Sequence, residues 1–174
     1  MKELKLRKIN LRHVKISDAK FLFEIEQDKD TQKNMMSHAT SIKQVKNSIK
    51  EHISEYKRKK PSEEKFIIEY EGKPAGEISI HGLNKPGVEH SGIISYSLHP
   101  KFRRKGITTE AVKLLIKYSF KKYKLKRICS RCRTFNKASA RVLEKAGFTY
   151  EGTHKKEFKK NGKYLDNMYW AIVK

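Results

Sequence analysis

The sequence predicts a mixed α/β fold: a sheet covered by helices, with one strand–helix–strand crossover near its centre. Three observations carry this expectation. Apolar residues recur at spacings of three and four in two long segments, Ile42–Ile53 and Ile107–Tyr118, the period of a one-faced helix. Short apolar-rich runs flank the turn signals Glu71-Gly72-Lys73 and Lys160-Asn161-Gly162, as hairpins do. The segments follow one another as β-α-α-β-β-β-α-β-α-β-β, an order that fits neither an all-β nor an all-α fold.

Leu4 to Val14 alternates Leu4, Leu6, then Ile9 and Leu11, and is expected to be a strand. Ser17-Asp18 supplies a helix N-cap before Ala19–Gln27, whose apolar residues are Phe21, Leu22, Phe23 and Ile25. Asp28 to Thr40 is polar and reads as irregular. A second helix covers Ser41 to Tyr56, with Ile42, Val45, Ile49 and Ile53 on one face. Lys57 to Glu64 holds a basic run and a proline and reads as an exposed loop. Strands are expected at Lys65–Tyr70, Pro74–His81 and Gly92–Leu98, the last ended by His99-Pro100. The clearest helix is Gly106–Tyr123, with Ile107, Ala111, Leu114, Leu115 and Tyr118 as its apolar stripe. Arg127–Cys132 is a strand, and Asn136–Ala146 a helix closed by Gly147. Phe148–Phe158 and Lys163–Val173 form the final hairpin.

The length of 174 residues is expected to form one domain, residues 1–174. With 37% hydrophobic and 34% charged residues, the chain is too apolar for disorder and too charged for a membrane protein. The N-terminus alternates charge with leucine and lacks the apolar core of a secretory signal, so the expected location is the cytoplasm, with no membrane partner. Forty-one basic against 19 acidic residues give a net charge of +22, which attracts polyanions such as nucleic acid, ribosomes and nucleotide cofactors. The same excess also arises from solvated lysine faces. Cys129 and Cys132 are spaced C-x-x-C, but in a strand these positions face opposite ways, and no second ligand pair accompanies them. No metal site is expected.

The chemistry concentrates in Leu98-His-Pro-Lys-Phe-Arg-Arg-Lys-Gly-Ile-Thr-Thr-Glu110, where a strand ends, a basic loop follows and a helix starts. Unpaired N–H groups at a helix start carry the positive end of its dipole. Gly106 leaves room for close approach, and Arg103, Arg104 and Lys105 add charge, which makes the segment suited to a pyrophosphate. It is neither a P-loop nor a dinucleotide-binding loop, whose glycine patterns it lacks.

A second segment, Asn136-Lys-Ala-Ser-Ala-Arg-Val-Leu-Glu-Lys-Ala-Gly-Phe148, lies beyond the crossover. Together the two resemble the GNAT superfamily of acyl-CoA-dependent N-acetyltransferases. The family's loop pattern [Q/R]-x-x-G-x-[G/A] corresponds to Arg103 through Thr108, and its N-x-x-[SA]…G-F pattern to Asn136, Ser139, Gly147 and Phe148. The run Lys105–Ala111, the run Asn136–Phe148, Tyr150-Glu151-Gly152, Asn161-Gly162-Lys163-Tyr164 and Asp166 are similar to the branch that holds ribosomal-protein N-terminal acetyltransferases. Two loop positions depart from the pattern, Thr108 for a glycine or alanine and Arg104 for a common glycine. The position of the family's tyrosine acid is Leu143.

The resemblance implies a mostly antiparallel sheet, splayed at its centre and flanked by helices, with the pantetheine arm of acetyl-CoA between the splayed strands. It implies direct attack of an amine on the thioester, with no covalent enzyme intermediate and no metal. Cofactor contacts would come from Leu98, Arg103, Arg104, Lys105, Gly106, Ile107, Thr108, Asn136 and Ser139, and the oxyanion donor from the backbone of Ser97 to His99. Glu77 and Ser95 are the catalytic candidates; Tyr96, His99, His81 and Glu89 are weaker ones, and Tyr96 alternates with Ile94 and Leu98 as a core residue would. The expected acceptor is a protein N-terminal amine. The other readings are a polyamine or aminoglycoside acceptor, for which Glu24, Glu26, Glu77 and Glu89 would have to gather in the pocket, and a basic ribosome- or RNA-binding module on the same fold. An oligomer is compatible with all of them.

Overall fold

A computed structural model describes residues 8–174. Seven strands form one sheet in the order β1-β2-β3-β4-β5-β7-β6. They are β1 Ile9–His13, β2 Glu63–Tyr70, β3 Lys73–His81, β4 Ser91–Leu98, β5 Arg127–Arg133, β6 Thr149–Lys160 and β7 Lys163–Val173. The helices are α1 Ala19–Gln27, α2 Lys29–Asn34, α3 Ile42–Tyr56, α4 Ile107–Tyr123 and α5 Lys137–Ala146. All neighbouring strands are antiparallel except β4 and β5, the pair joined by the α4 crossover. The expected mixed sheet flanked by helices is the observed one.

Three local expectations need correction. Asp28–Thr40 is not irregular throughout: Asp28 accepts from Thr31 N at 2.9 Å and caps the short helix α2. Asp18 does not cap α1; its buried carboxylate instead takes both terminal nitrogens of Arg12, at 2.7 and 2.8 Å. Glu63 and Glu64 belong to β2 rather than to the preceding loop. Of the first expected strand, Leu4 and Leu6 lie outside the described residues.

The sheet is covered on both faces. On one, Phe66, Ile68, Ile78, Ile80, Ile94 and Ile128 meet Ile107, Ala111, Val112 and Leu115 of α4 and Leu143 of α5. On the other, Ile67 meets Val14, Leu22 and Ile25 near α1 and Val45 and Ile49 of α3. The run Phe66-Ile67-Ile68 is apolar without alternation because both faces of β2 are buried. Each fully buried isoleucine or leucine contributes about 1.5–3 kcal/mol. Glu64 is a buried acid within this packing: His13 Nε2 at 2.7 Å, Lys122 Nζ at 2.5 Å and the hydroxyls of Tyr118 and Tyr123 surround its carboxylate and tie α4 to β2.

The sheet opens at its centre. The β4–β5 register runs only from Ser91↔Arg127 to Ile93↔Cys129. Beyond it β4 stays with β3, as far as Gly76↔Leu98, and β5 stays with β7, as far as Arg133↔Asn167. Ser130 Oγ donates to Ile94 O at 2.9 Å, the last tie before the strands diverge. Main-chain groups alternate sides along a strand. His99 N donates to Ala75 O of β3, whereas Ile94 O faces β5. The N–H groups of Tyr96 and Leu98 therefore point into the gap.

Candidate active site

A cleft of about 1080 Å³ runs through this gap from the α4 side of the sheet to the α2 side. Its first wall is the α4 N-terminus. Gly106 is the N-cap, with φ +74° and no capping side chain, so the N–H groups of Ile107, Thr108 and Thr109 have no partner in the helix. All three residues line the cleft. Gly106 lines the cleft too, and a Cβ there would have nothing within 4 Å. Arg104 also has positive φ and, like Lys105, is exposed; the Lys105 ammonium sits 5.7 Å from the Phe102 ring. This is an anion cradle built from backbone and dipole, with loose positive charge at its rim.

Arg103 lines the cleft and is also tied to α2. Its NH2 group donates to Asp28 Oδ2 at 2.5 Å and to Thr31 Oγ1 at 3.1 Å, so the guanidinium holds α2 against the loop. Burial opposes ionisation of Asp28, but hydrogen bonds from Arg103 and Thr31 outweigh it and keep the carboxyl below its usual range. From the opposite side of the gap, Asn136 Nδ2 donates to Asn34 Oδ1 at 2.9 Å, and Lys160 Nζ donates to the carbonyls of Gln32 and Met35. The α2 segment thus spans the cleft and is tied to both halves of the sheet.

Asn136 and Ser139 both line the cleft. Asn136 is also the N-cap of α5, accepting from Ser139 N at 3.1 Å. Ser139 Oγ lies 2.8 Å from the Tyr96 hydroxyl. Tyr96 packs against the core, and its hydroxyl reaches the cleft as well; burial pushes its pKa well above the usual tyrosine value. It is a hydrogen-bonding phenol rather than a source of protons at neutral pH. Cys132 lines the cleft nearby, with its thiol pushed up by burial, while Cys129 lies on the other face of β5. Among the described residues no cluster of metal-ligating side chains occurs, and no helix is long and apolar enough to cross a membrane.

Glu77 and Ser95 come to the same side of the cleft, the face that carries α2. Glu77 Oε2 pairs with Lys65 Nζ at 2.7 Å, with both side chains below 20% exposure, so its charge is already answered. Ser95 Oγ is exposed and lies 2.9 Å from His81 Nε2. Burial pushes His81 below its usual pKa, against a smaller opposing pull from Glu63, and leaves the imidazole neutral near pH 7. His99 is spent locally, accepting from Lys101 N at 3.3 Å and stacking on Phe21. Glu89 accepts from Gly87 N at 3.1 Å in the β3–β4 loop, away from the cleft.

The far wall is shaped by a bulge that the sequence pattern does not show. Between His154↔Asn167 and Phe158↔Leu165, β6 carries three residues opposite the single Asp166, and Lys156 N donates to Asp166 Oδ1 at 2.7 Å. This bulge turns Glu157 onto Asn167 Nδ2, at 2.6 Å, and the Tyr169 hydroxyl. Burial raises the Glu157 pKa, but the hydrogen bonds from Tyr169 and Asn167 prevail and keep it ionised. Asn167 Oδ1 in turn accepts from Arg133 NH1 at 2.8 Å.

Residues 8–149 match the family described as acetyltransferase (GNAT) domain. The probable N-acetyltransferase YjcK of Bacillus subtilis (strain 168) is 42% identical over 87 residues, 50% of this chain and 48% of that protein. The putative ribosomal N-acetyltransferase YdaF of the same organism is 33% identical over 103 residues, 59% of this chain and 55% of that protein. The chain thus aligns with about half the length of these curated relatives. Among solved structures, RimL, a ribosomal L7/L12 alpha-N-protein acetyltransferase in complex with coenzyme A, superposes with a TM-score of 0.85 over 95% of this chain and 94% of that one, at 22% identity. That likeness extends the shared fold to nearly the full chain. The family match itself runs from just before β1 to the first residue of β6, across the anion cradle and the opened strand pair, and it shows that this chain belongs to the GNAT acetyltransferases.

Proposed function

We propose that this GNAT acetyltransferase moves the acetyl group of acetyl-CoA to the α-amino group of a protein N-terminus, by direct attack in a ternary complex. The observation that carries the reading is the gap itself. It joins an anion cradle on the α4 side to an acceptor face on the α2 side, with the Leu98 N–H pointing between them. The cradle of Ile107–Thr109, with Arg104 and Lys105 at its rim, suits the pyrophosphate of the cofactor. The pantetheine arm would pass Asn136 and Ser139 and bring the thioester carbonyl to the Leu98 N–H, which stabilises the oxyanion.

The amine nitrogen attacks the carbonyl carbon, and the C–S bond breaks as the tetrahedral adduct collapses. The amine loses a proton through the Ser95 hydroxyl to the neutral His81, and the departing thiolate takes one from solvent. An α-amine, with a pKa near 8, needs only this modest base; a lysine amine, near 10.4, needs far more. The carboxylates argue against a polyamine. Of the four that would serve one, only Glu77 reaches the cleft, and Lys65 neutralises it. Glu24 is half exposed beside His99, and Glu26 accepts from Ala39 N at 2.6 Å. The name of one relative, the putative ribosomal N-acetyltransferase YdaF, supports a protein acceptor.

The test is release of free CoA from acetyl-CoA in the presence of short peptides with free N-termini, the same peptides blocked at the N-terminus but carrying lysine, and spermidine. Mass spectrometry locates the acetyl group. The reading expects it on the α-amine; acetylation confined to lysine or spermidine would refute it.

A further inference from the structure

The acceptor face holds two arginines whose charge no carboxylate answers directly. Arg133 is 6% exposed, yet its guanidinium bonds only to Asn167 Oδ1, at 2.8 Å, and to the sulfur of Met36, at 3.0 Å. Arg131, two residues earlier on the same face of β5, is exposed. Both guanidinium carbons lie against the Phe158 ring, at 5.5 Å for Arg131 and 5.0 Å for Arg133. Among the described residues no carboxylate comes within ion-pair distance of either. Glu157 is reached from Arg133 only through Asn167 and from Arg131 through the Tyr169 hydroxyl, and its oxygens are turned to Asn167 and Tyr169. Arg131, Arg133, Phe158, Asn167 and Met36 all line the cleft, on the side where Ser95 stands.

This arrangement is costly as it stands. A buried cation without a carboxylate loses hydration that the amide and thioether restore only in part. A second positive charge on the same ring adds repulsion. Burial and Arg131 both weaken the hold of Arg133 on its proton, with Glu157 opposing them. An incoming oxyanion would relieve both costs, and the planar guanidinium fork matches a carboxylate bidentately.

We infer that Arg131 and Arg133 form a carboxylate-binding subsite, and that the preferred acceptors are peptide N-termini with an aspartate or glutamate within the first few residues. The inference rests on the N-terminal acetyltransfer reading, and it names the acceptor class for the same cleft. The amine goes to Ser95 and the gap. The acidic side chain goes to the arginines across Phe158, so the peptide is held at two points before the reaction.

Binding and transfer are measured separately. CoA-saturated protein is titrated into short peptides, labelled at the C-terminus, of sequence Ser-Asp, Ser-Asn or Ser-Lys followed by a common neutral tail, and anisotropy gives the affinities. The subsite predicts that Ser-Asp binds at least about tenfold more tightly than Ser-Asn, with the difference shrinking as salt rises. Arg131→Gln, at an exposed position, is expected to reduce that ratio severalfold, and Arg131→Glu to turn the preference towards Ser-Lys. Equal affinity for Ser-Asp and Ser-Asn, or a ratio untouched in Arg131→Gln, would overturn the subsite. CoA release on the same peptides tests the parent reading: acid-selective binding without acetylation upholds the subsite and defeats N-terminal acetyltransfer, and acetylation indifferent to charge does the reverse.

Discussion

The closest backbone approach beside the proposed reaction centre is at Gly76, and replacing it with alanine should damage stability and catalysis together. Gly76 stands opposite Leu98 in the β3–β4 ladder. A Cβ there would lie 2.4 Å from Ser97 O and 2.9 and 3.1 Å from Leu98 Cδ1 and Cα. The first and third of these are backbone atoms, which no rotamer change can move. The strands must separate by something approaching 1 Å, and overpacking of this kind costs about 1–3 kcal/mol. For a chain of this size that lowers the melting point by roughly 2–12 °C.

The displaced strand is the one that carries Leu98 N–H and Ser95. A misplacement of about 1 Å at a reacting centre can cost on the order of a hundredfold. We therefore expect Gly76→Ala to lower kcat/KM by one to two orders of magnitude, while acetyl-CoA binding by calorimetry, set mainly by the α4 terminus, changes little. The assays are a thermal melt, a titration and steady-state acetyl transfer. A variant that melts and reacts like the wild type would refute the reasoning. A lower melting point with unchanged kcat/KM would keep the packing argument and remove the oxyanion donor from β4.

Gly106→Val puts a β-branched residue at φ +74° and a side chain into the cradle, so calorimetry should find acetyl-CoA binding abolished; normal binding would move the phosphate site elsewhere. Arg103→Ala should cost about 1–2 kcal/mol at pH 7 by freeing Asp28 and α2. Because Asp28 is held below its unfolded pKa, that difference is present above about pH 4 and closes as pH falls through the folded value; denaturant melts across pH would show it, and a gap that widens in acid would contradict the assignment. With a peptide acceptor, kcat/KM should rise as the amine deprotonates near pH 8, with the His81 limb below its usual 6.5 because burial disfavours the cation. His81→Gln should lower kcat by roughly tenfold to a hundredfold at pH 7 and by less at pH 9.

The two halves of the site differ in how far a linear sequence can describe them. The cofactor half is contiguous. Strand, basic loop and helix start fall within Leu98–Glu110, and the second contact segment within Asn136–Phe148, so local chemistry and position coincide. The acceptor half is assembled from β3, β4, β5, β6 and β7, and register decides its membership. Alternation along β3 leaves Glu77 free to face either way; only the pairing Glu77↔Ser97 and its neighbours put it beside Ser95. A one-residue shift between Tyr150↔Trp170 and Gly152↔Tyr169 changes parity within β6, so a reading of Thr149–Lys160 by alternation misplaces Phe158, and the three-residue bulge that follows takes Glu157 out of the alternation. Arg103 shows a contact that a local reading does not reach. A basic residue beside a helix start reads as a phosphate ligand, and its partner Asp28 sits 75 residues earlier. The Asp28-x-x-Thr31 cap that positions this partner is itself a local signal, and it marks α2 as a helix.

Placement, more than the net charge of +22, determines how the cleft works. Arg104 and Lys105 stand at the cradle, Arg131 and Arg133 on the acceptor face, and Lys65 beside Glu77, so the cleft is positive along its length. A positive cleft is a poor host for a polyamine but a suitable one for an amine that must react as the free base. Nearby positive charge disfavours an ammonium and lowers its pKa. The field that holds the cofactor phosphates thus also favours the nucleophilic form of the acceptor and reduces the work left to a weak base such as Ser95–His81. The cost of bringing a cation into that field is offset if the acceptor also carries a carboxylate, since a zwitterionic N-terminus enters with no net charge. On this account the cofactor cradle, the modest base and the arginine pair all follow from one distribution of charge across the opened strands.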